Sequence, residues 1–463
     1  MRGGAAATPP VLHPDGLPMP QRWWAAIVPL LGSFMAALDV TIANVGLPTI
    51  AHDLHAAPAT SIWIVNAYTI TVVACLLPLS ALGEMIGFRR VSQAGMGLFG
   101  LASLGCALAP SLEWLTLARV FQGVGAAGIM GTSMALIRFI YPQRQLGTAI
   151  GVTAMVVAVS SAIGPPLASL ILSLGSWRWV FGVNVPVSVL TVFLAVNLPF
   201  NAPSRRSLDW KAAVLHASGL GLIVTGLGFL SDGGAGRLGL ALLVVGTGLE
   251  AVLVLRERGL TDPLIPVDLL RIPIFSLSLC NSICAFGAHM AALVALPFDL
   301  EHRLGFSAVQ VGLMMTPWPL AVAAAAPVAG WLADRFPPAL LGGIGMAVMT
   351  TGIVLLAAVS TTLGVPVFMA CMALAGLGFG LFQSPNNRIL IGSSPRSRAG
   401  AAGGMQGTAR LLGQSLGAVS VAVCFHLSKD QPTLTALAVA AVVAGLATVI
   451  SFTRLTVPTP VRA

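Results

Sequence analysis

One carboxylate stands alone in a long apolar stretch near the start of the chain. The stretch opens at Trp23 and Trp24, and Asp39 is its only ionisable residue up to about residue 46. A carboxylate held in hydrocarbon costs roughly 2.5–3.5 kcal/mol on insertion scales, so it requires a partner, water or a proton. Thr41 and Asn44 keep its neighbourhood polar. A hydrogen bond that only joins helices would also explain this acid, but ionisable groups inside membranes are usually functional, which favours a proton or cation site.

A second charged residue lies at a comparable depth in a later apolar run. Counting 1.5 Å per residue, Arg119 lies about 6–7 Å below the outer end of its run, and Asp39 lies about 10 Å below the outer end of its own. The two side chains can therefore meet, directly or through water. An arginine strongly changes the proton affinity of a neighbouring carboxylate, so such a pair can sense protonation. The alternative is that Arg119 only extends towards the nearby membrane surface.

Two further acids mark an internal repeat in the loops. Each follows an even-numbered apolar run and comes four positions after a small residue, Ser80 or Gly330, and the two acids are 250 positions apart. Acids beside arginines at a helix end can form charge-assisted bonds that latch one conformation. The alternative is that the arginines only set the topology. The candidate gating residues are Glu84, Gly87, Arg89, Arg90, Asp334 and Arg335.

Composition identifies the class of protein that these residues belong to. Of 463 residues, 56% are hydrophobic and 8% are charged, and the mean hydropathy is +0.91. So few charges cannot cover a water-soluble surface, so the chain is predicted to cross the membrane many times. The net charge of +9 is dispersed over short loops, which argues for a topology signal and against nucleic acid as a partner. All six cysteines fall in apolar runs, which favours packing over a metal site or disulfides.

Apolar runs of about 20 residues predict fourteen membrane-spanning helices. Their ranges are 23–46, 61–82, 92–110, 115–137, 147–174, 180–200, 211–230, 238–255, 275–297, 307–333, 339–360, 364–386, 403–427 and 433–453. The separation of 250 positions between the two repeated acids is explained if the two helices at 211–255 are inserted between two six-helix halves. The predicted domains are therefore a tail (1–22), a first half (23–200), a linker with two extra helices (201–274), a second half (275–453) and a tail (454–463).

Lysine and arginine set the predicted orientation. With the N-terminus in the cytoplasm, eighteen of the 24 basic residues lie on the cytoplasmic side and four on the far side, leaving Arg119 and Arg410 inside spans. This asymmetry predicts that both termini are cytoplasmic. Of the other ionisable residues in spans, Glu250 is expected to pair with Arg256. His216 and His289 are interpreted as packing residues rather than a proton relay.

Three motifs resemble those of a known family. Leu38-Asp39, Thr41-Ile42, Asn44 and Leu47-Pro48 match the Leu-Asp-x-Thr-Ile-x-Asn-x-x-Leu-Pro pattern of the first helix in the fourteen-helix drug:proton antiporter family of the major facilitator superfamily. The segment from Arg119 through Gln122-Gly123 and Gly125 resembles that family's motif in the fourth helix. The segment from Ser160 to Ser169, which contains Gly164-Pro165, resembles its antiporter motif, with three glycines replaced by other small residues. Small residues at these positions permit close helix packing.

The resemblance implies an all-α major facilitator fold with two six-helix bundles and two inserted helices, and a proton-coupled exporter working by alternating access. It implies drug-like amphiphilic substrates, cationic ones included, with Asp39 and Arg119 coupling the proton. Asn44, Gln122, Trp318 and Arg410 are the candidate residues of the substrate cavity; Trp318 lies between two prolines, which favour a kink beside a cavity. An exporter of one endogenous metabolite, or a membrane sensor that transports nothing, are the alternatives. We expect a monomer in the bacterial inner membrane, driven by the proton gradient without a cofactor, and not an enzyme.

Overall fold

The computed structural model describes most of the chain, with gaps in the loops and at both ends. The described residues are 16–56, 61, 63–200, 209–231, 236–258, 260, 263–298, 300, 305–306, 308–359, 364–428 and 430–457. Most of the two predicted tails therefore lies outside the described residues, as do Arg205, Arg206, Arg303 and Lys429 of the topology prediction.

The first half of the fold contains six spans built from apolar helices. They are α1 (Gln21–Asp53), α2 (Trp63–Ile86), α3 (Phe88–Ala107), α4 (Leu112–Ile140), α5 (Leu146–Leu174), and the pair α6 (Arg178–Gly182) and α7 (Asn184–Leu194). The sixth span is thus divided near Val183, and a short 3-10 turn at Ala195–Asn197 ends it. Ser111 caps α4 by accepting a hydrogen bond from the Trp114 N–H, which fixes where that helix begins.

Two long helices lie between the helices of the first half and those of the second half in chain order. They are α8 (Trp210–Ser231) and α9 (Gly236–Glu257), and the short α10 (Val267–Leu270) leads into the second half. The pair is held together by small residues: a Cβ added at Gly246 would lie 2.6 Å from the Gly219 carbonyl oxygen, so the two backbones are in direct contact there. Helix α8 packs against α2 and α16, one helix from each half, whereas α9 packs mainly on α8.

The second half repeats the architecture of the first. Its helices are α11 (Pro273–Phe298), α12 (Ala308–Met315), α13 (Pro317–Ala333), α14 (Pro338–Val359), α15 (Val365–Ser393), α16 (Ala399–Leu427) and α17 (Pro432–Thr453). Helices α12 and α13 together form one span, divided before Pro317. The all-α membrane fold predicted from the sequence is therefore confirmed.

Thirteen stretches of the described chain are long and apolar enough to cross a membrane. The predicted span that is not among these thirteen is the third, 92–110, which corresponds to α3; this helix has the length of a span, 20 residues, but begins with Phe88, Arg89 and Arg90. These two arginines and the several glycines of α3 reduce its apolar character, although it packs between α4 and α7 like its neighbours. Each of the fourteen predicted spans thus has a helical counterpart.

The two halves meet along two seams, α5 against α13 and α2 against α16. At the first seam, a Cβ on Gly151 would lie 2.5 Å from the Ala326 carbonyl oxygen. At the second, a Cβ on Gly404 would lie 2.7 Å from the Leu77 side chain. Glycine therefore permits backbone approach on both seams. These contacts lie towards the end of the bundle that carries Glu84 and Asp334, which we call the latch end.

Candidate functional site

Asp39 lies at the centre of a buried polar cluster in the first half. Its carboxylate is 1% exposed, and Arg119 Nη1 donates to Oδ2 at 2.5 Å. Gln122 Nε2 donates to Oδ1 at 2.8 Å, and Asn184 Nδ2 donates to the same oxygen at 2.9 Å. Residues from α1, α4 and α7 therefore converge on one carboxylate. The structure brings together Asp39, Arg119 and Gln122, three residues that the sequence singled out.

Arg119 is held on several sides besides its ion pair. Its Nε donates to the Ile64 carbonyl oxygen at 2.9 Å, and the guanidinium carbon lies 4.2 Å from the centre of the Tyr68 ring. The same guanidinium carbon lies 5.6 Å from the centre of the Phe181 ring. Arg119 is 0% exposed, so the guanidinium does not reach the membrane surface, and the alternative of an arginine extended to water is excluded for this conformation.

Gln122 connects the ion pair to α3. Its amide nitrogen also donates to Ser103 Oγ at 2.9 Å, and its oxygen accepts from Arg119 Nη1 at 2.7 Å. Because buried polar groups are costly unless they are hydrogen-bonded, this network fixes the carboxylate and the guanidinium in one arrangement. Gln122 is fully buried, so it belongs to the Asp39 cluster rather than to an open cavity wall.

Glycines allow the helices of this cluster to approach. A Cβ on Gly125 would lie 2.6 Å from the Phe99 nitrogen of α3, and one on Gly123 would lie 2.8 Å from the Tyr68 carbonyl oxygen of α2. A Cβ on Gly164 would lie 2.0 Å from Thr41 Oγ1, two residues after Asp39 in α1. Pro165 follows Gly164 within α5 and is exposed. The predicted role of these glycines in helix packing thus has a geometric basis in each case.

Glu84 and Asp334 lie at the latch end, and both bind the opposite half of the protein. Glu84 Oε1 accepts from the Ala401 N–H at 2.8 Å, and its Oε2 lies 3.6 Å from Arg398 Nη1. Asp334 accepts from the N–H groups of Gly147 and Thr148, each at 2.9 Å. The acceptors thus sit at the first turns of α16 and α5, where unpaired N–H groups and the helix dipole favour a carboxylate.

The arginines next to these acids have other contacts. Arg89 lies over the Phe200 ring at 4.6 Å, Arg90 donates to the Ile86 carbonyl oxygen, and Arg335 lies over the Trp331 ring at 3.6 Å. The ion pair of Asp334 is with Arg388, whose Nε is 3.1 Å from Oδ1. The sequence indicated the adjacent arginines as partners of the two acids. Asp334 instead pairs with an arginine of α15, and both acids accept hydrogen bonds from the opposite half. Gly87 has φ of +109° before α3, a conformation that side chains other than glycine rarely adopt.

The other residues that were predicted to line the substrate cavity lie in different environments. Asn44 is exposed on α1, and Arg410 is half-buried in α16. Trp318 is 0% exposed and packs in the apolar core of the second half, so the expectation that it lines a cavity is corrected. Its ring is 5.2 Å from that of His289, which is itself stacked on Phe379 at 4.3 Å. The prolines beside Trp318 divide the span, but the indole faces the core.

Glu250 has a different partner from the one expected. Its Oε1 lies 3.1 Å from His216 Nδ1 of α8, whereas Arg256 pairs with Asp209 at 2.8 Å. His216 is thus the partner of an acid and not only a packing residue. Arg256 comes six residues, about one and two-thirds turns, after Glu250, so the two side chains lie on different faces of α9.

Asn184 and Tyr68 were not predicted as members of the site. Asn184 donates to Asp39, and Tyr68 covers the Arg119 guanidinium. Both are polar residues inside apolar runs, which is a detectable signal. Asn184 also lies in a Trp177-to-Pro186 segment that resembles a family signature at the start of the sixth span. The sequence gives no way to tell that this helix faces α1.

Known proteins resemble this chain over most of its length. The model of the Major Facilitator Superfamily matches residues 30–418 and 277–463. The uncharacterized transporter YebQ of Escherichia coli is 49% identical over 97% of this chain and 99% of its own length. The tetracenomycin C resistance and export protein of Streptomyces glaucescens is 28% identical, covering 89% of this chain and 78% of its own.

A solved structure shows the same fold at low sequence identity. The human organic anion transporter MFSD10 superposes with a TM-score of 0.70 at 15% identity, over 94% of this chain and 100% of that one. The family match over most of the chain and the similarity to YebQ over nearly its full length show more than fold. This multi-pass membrane protein is a transporter that belongs to the major facilitator superfamily.

Proposed function

We propose that the protein is a proton-coupled exporter of drug-like amphiphilic molecules, and that Asp39 takes up the coupling proton. The observation that carries the proposal is the buried Asp39–Arg119 pair, in which one titratable carboxylate of α1 accepts from three donors on two other helices, α4 and α7. The name of the Streptomyces glaucescens relative, a resistance and export protein, supports the export of a small molecule.

Protonation changes how α1 is tied to its neighbours. The carboxylate accepts three hydrogen bonds from Arg119, Gln122 and Asn184 while it is charged. A proton on Asp39 removes the ion pair with Arg119 and occupies one of the two oxygens with a donor. The bonds that join α1 to α4 and α7 then weaken together, because charge-assisted bonds are about twice as strong as neutral ones. The protonation state of one residue thereby biases how α1 packs within the first half.

The latch end supplies the second part of the cycle. Alternating access requires the halves to separate here, which breaks the bonds from Glu84 to Ala401 and from Asp334 to Gly147 and Thr148. With the latch end in the cytoplasm, as the basic residues predict, the conformation described is closed to the cytoplasm. Protons then reach Asp39 from the outer side, and the substrate is released to that side.

Transport by the purified protein tests the proposal. Proteoliposomes with an imposed pH gradient are screened over dyes, quaternary amines and small metabolites, with Asp39→Asn as the paired variant. Gradient-driven accumulation by the wild type that is absent in Asp39→Asn supports proton coupling. Equal accumulation by both proteins contradicts it, and accumulation of one metabolite alone favours the narrower alternative of a dedicated metabolite exporter.

A further inference from the structure

Arg410 is a cation deep within the second half that has no acidic partner in the described part of the chain. It lies eleven residues after Ala399, the first residue of α16, which is about 16 Å along the helix axis. Its Nε is buried and donates to no hydrogen-bond acceptor among the described residues. An arginine at this depth in a membrane marks a functional position by default, because hydrocarbon and apolar side chains do not stabilise its charge.

Tyr68 approaches the same place from the first half. Its hydroxyl is buried and likewise lacks a hydrogen-bond partner among the described residues. Leu411, which follows Arg410 in α16, packs against the apolar cluster that contains Tyr68 and Val72 of α2. The Tyr68 ring lies beneath the Arg119 guanidinium at 4.2 Å. The Tyr68 hydroxyl and the Arg410 Nε, one from each half and both without a hydrogen-bond partner among the described residues, thus lie in one region of the seam beside the Asp39 cluster.

The position of this region within the seam suggests access for a ligand. Moving away from the latch end, Gly404 packs on Leu77 and Gly407 packs on Leu76. Arg410 comes less than one turn after Gly407, at the edge of this glycine-mediated contact. Gln406 and Gln414 lie four residues before and after Arg410, so the three polar side chains share one face of α16.

The charges that meet here are not balanced. Asp39 is the acid of the neighbouring cluster, and its charge is matched by Arg119 at 2.5 Å. Arg410 therefore leaves the region with an excess positive charge among the described side chains. A planar guanidinium binds carboxylate, sulfonate or phosphate oxygens through two parallel hydrogen bonds, and a tyrosine hydroxyl can donate a third. A cation in the same place would be repelled by Arg410.

We infer that Arg410 and Tyr68 form the subsite for an acidic group on the transported molecule, so that the cargo is an acidic amphiphile rather than a cation. This rests on the proposed function for the direction of transport, but not for the binding preference. The depth of Arg410 places the subsite beyond the reach of lipid headgroups, so the acid belongs to a molecule that enters between the halves. The cationic substrates implied by the family resemblance are then the poorer ligands.

Two dyes with the same xanthene ring test the preference at equilibrium, with no gradient imposed. Fluorescein is an anion and rhodamine 6G is a cation at neutral pH, and 8-anilinonaphthalene-1-sulfonate adds a second acidic probe. Binding to the purified full-length protein in nanodiscs is followed by fluorescence polarisation. The variants are Arg410→Gln, Arg410→Lys and Tyr68→Phe, with Arg237→Gln as the control because Arg237 is exposed at the start of α9.

The wild type is expected to bind at least one acidic dye about tenfold more tightly than rhodamine 6G. Arg410→Gln should weaken that binding about tenfold or more, with rhodamine 6G unaffected or tighter, while Arg410→Lys retains part of the affinity and Arg237→Gln retains all of it. Tyr68→Phe should weaken the binding of the acidic dye by a smaller factor. Preference for rhodamine 6G, no binding of either acidic dye, or unchanged acidic-dye affinity in Arg410→Gln overturns the inference.

The outcome is separable from that of the proposed function. Asp39→Asn should still bind the acidic dye, because Asp39 is not part of the subsite. If acidic-dye binding depends on Arg410 but Asp39→Asn transports against a pH gradient, only the coupling proposal fails. If Asp39→Asn loses uphill transport but Arg410→Gln binds the acidic dye normally, only the subsite fails.

Discussion

Glu84 and Asp334 hold equivalent positions in the two halves, and each accepts a hydrogen bond from a backbone N–H in the first turn of a helix of the opposite half. The bonds are 2.8 Å from Ala401 to Glu84 and 2.9 Å from Gly147 to Asp334. The repeat detected in the sequence is therefore a repeat of contacts as well as of residues. Two carboxylates at two helix N-termini hold the latch end together through the same type of bond.

Neutral amides at these two positions should weaken the latch. Glu84→Gln and Asp334→Asn keep an oxygen acceptor but remove its charge, and a carboxylate at a partly buried helix N-terminus contributes about 1–2 kcal/mol. The population opened at the latch end should then rise roughly 5–30-fold for each variant. Distances between spin labels on α5 and α13 report this change. Lost substrate binding with unchanged distances contradicts the assignment.

Asp39→Asn should abolish gradient-driven export but leave downhill exchange and folding largely intact. Asparagine keeps the shape and the hydrogen bonds from Asn184 and Gln122, but it does not titrate. Transport is measured in proteoliposomes with and without a pH gradient. Glu250→Gln is the matched control because Glu250 is also an intramembrane acid, paired with His216 at 3.1 Å. If Glu250→Gln loses uphill transport and Asp39→Asn does not, the proton site lies in the helices α8 and α9.

Arg119→Lys should retain partial activity with an altered pH optimum. Lysine keeps the positive charge near Asp39, but its single nitrogen does not replace both the Nε that donates to the Ile64 carbonyl and the Nη1 that donates to Asp39 and Gln122. The variant is compared with the wild type by transport rate over a pH series. An unchanged pH profile at full transport rate would mean that coupling does not require the several N–H donors of the Arg119 guanidinium.

Gly125→Ala should destabilise the first half, whereas Gly97→Ala should not. The added Cβ meets the Phe99 nitrogen of α3 at 2.6 Å in the first case and nothing within 4 Å in the second. Overpacking of this kind costs about 1–3 kcal/mol, while alanine is favoured over glycine in an open helical position. Thermal unfolding in detergent compares the two variants with the wild type. Equal melting temperatures for both variants would contradict the packing argument.

Labelling at the ends of α9 tests the orientation. Arg237→Cys lies at its start and Arg258→Cys follows its end, and both positions are exposed. A membrane-impermeant maleimide added to intact cells should react at position 237 and not at 258, with the reverse in inverted vesicles. The wild type, whose cysteines lie in apolar helices, gives the background. Reaction at both positions from one side contradicts the predicted topology.

The sequence was sufficient to predict the membrane-spanning helices because each of them requires about twenty mostly apolar residues. Boundaries were less predictable where polar residues are buried within a helix. The span predicted at 364–386 continues in α15 to Ser393, because Asn386 donates to Ser282 at 2.8 Å and this makes burial of a polar stretch tolerable. Hydropathy registers such residues as the end of a run.

Pairing between helices was predictable only where depth and charge agreed. Asp39 and Arg119 are opposite charges at comparable depth, so their contact followed from counting residues. The contacts of Asn184, and of Glu84 with Ala401, depend on which helices face each other, and one-dimensional patterns do not contain this information. The burial of Trp318 is a further example, since prolines determine where a helix bends but not which face turns inward.

The inserted helices make the two sides of the transporter unequal. Helix α8 lies over the seam between α2 and α16, and α9 lies outside α8, whereas neither helix, as far as the structure describes them, packs mainly on the seam between α5 and α13. A lipophilic molecule dissolved in the bilayer therefore meets an additional helical layer on one flank only. A molecule in the lipid thus meets the two halves directly along α5 and α13, whereas along α2 and α16 it first meets α8.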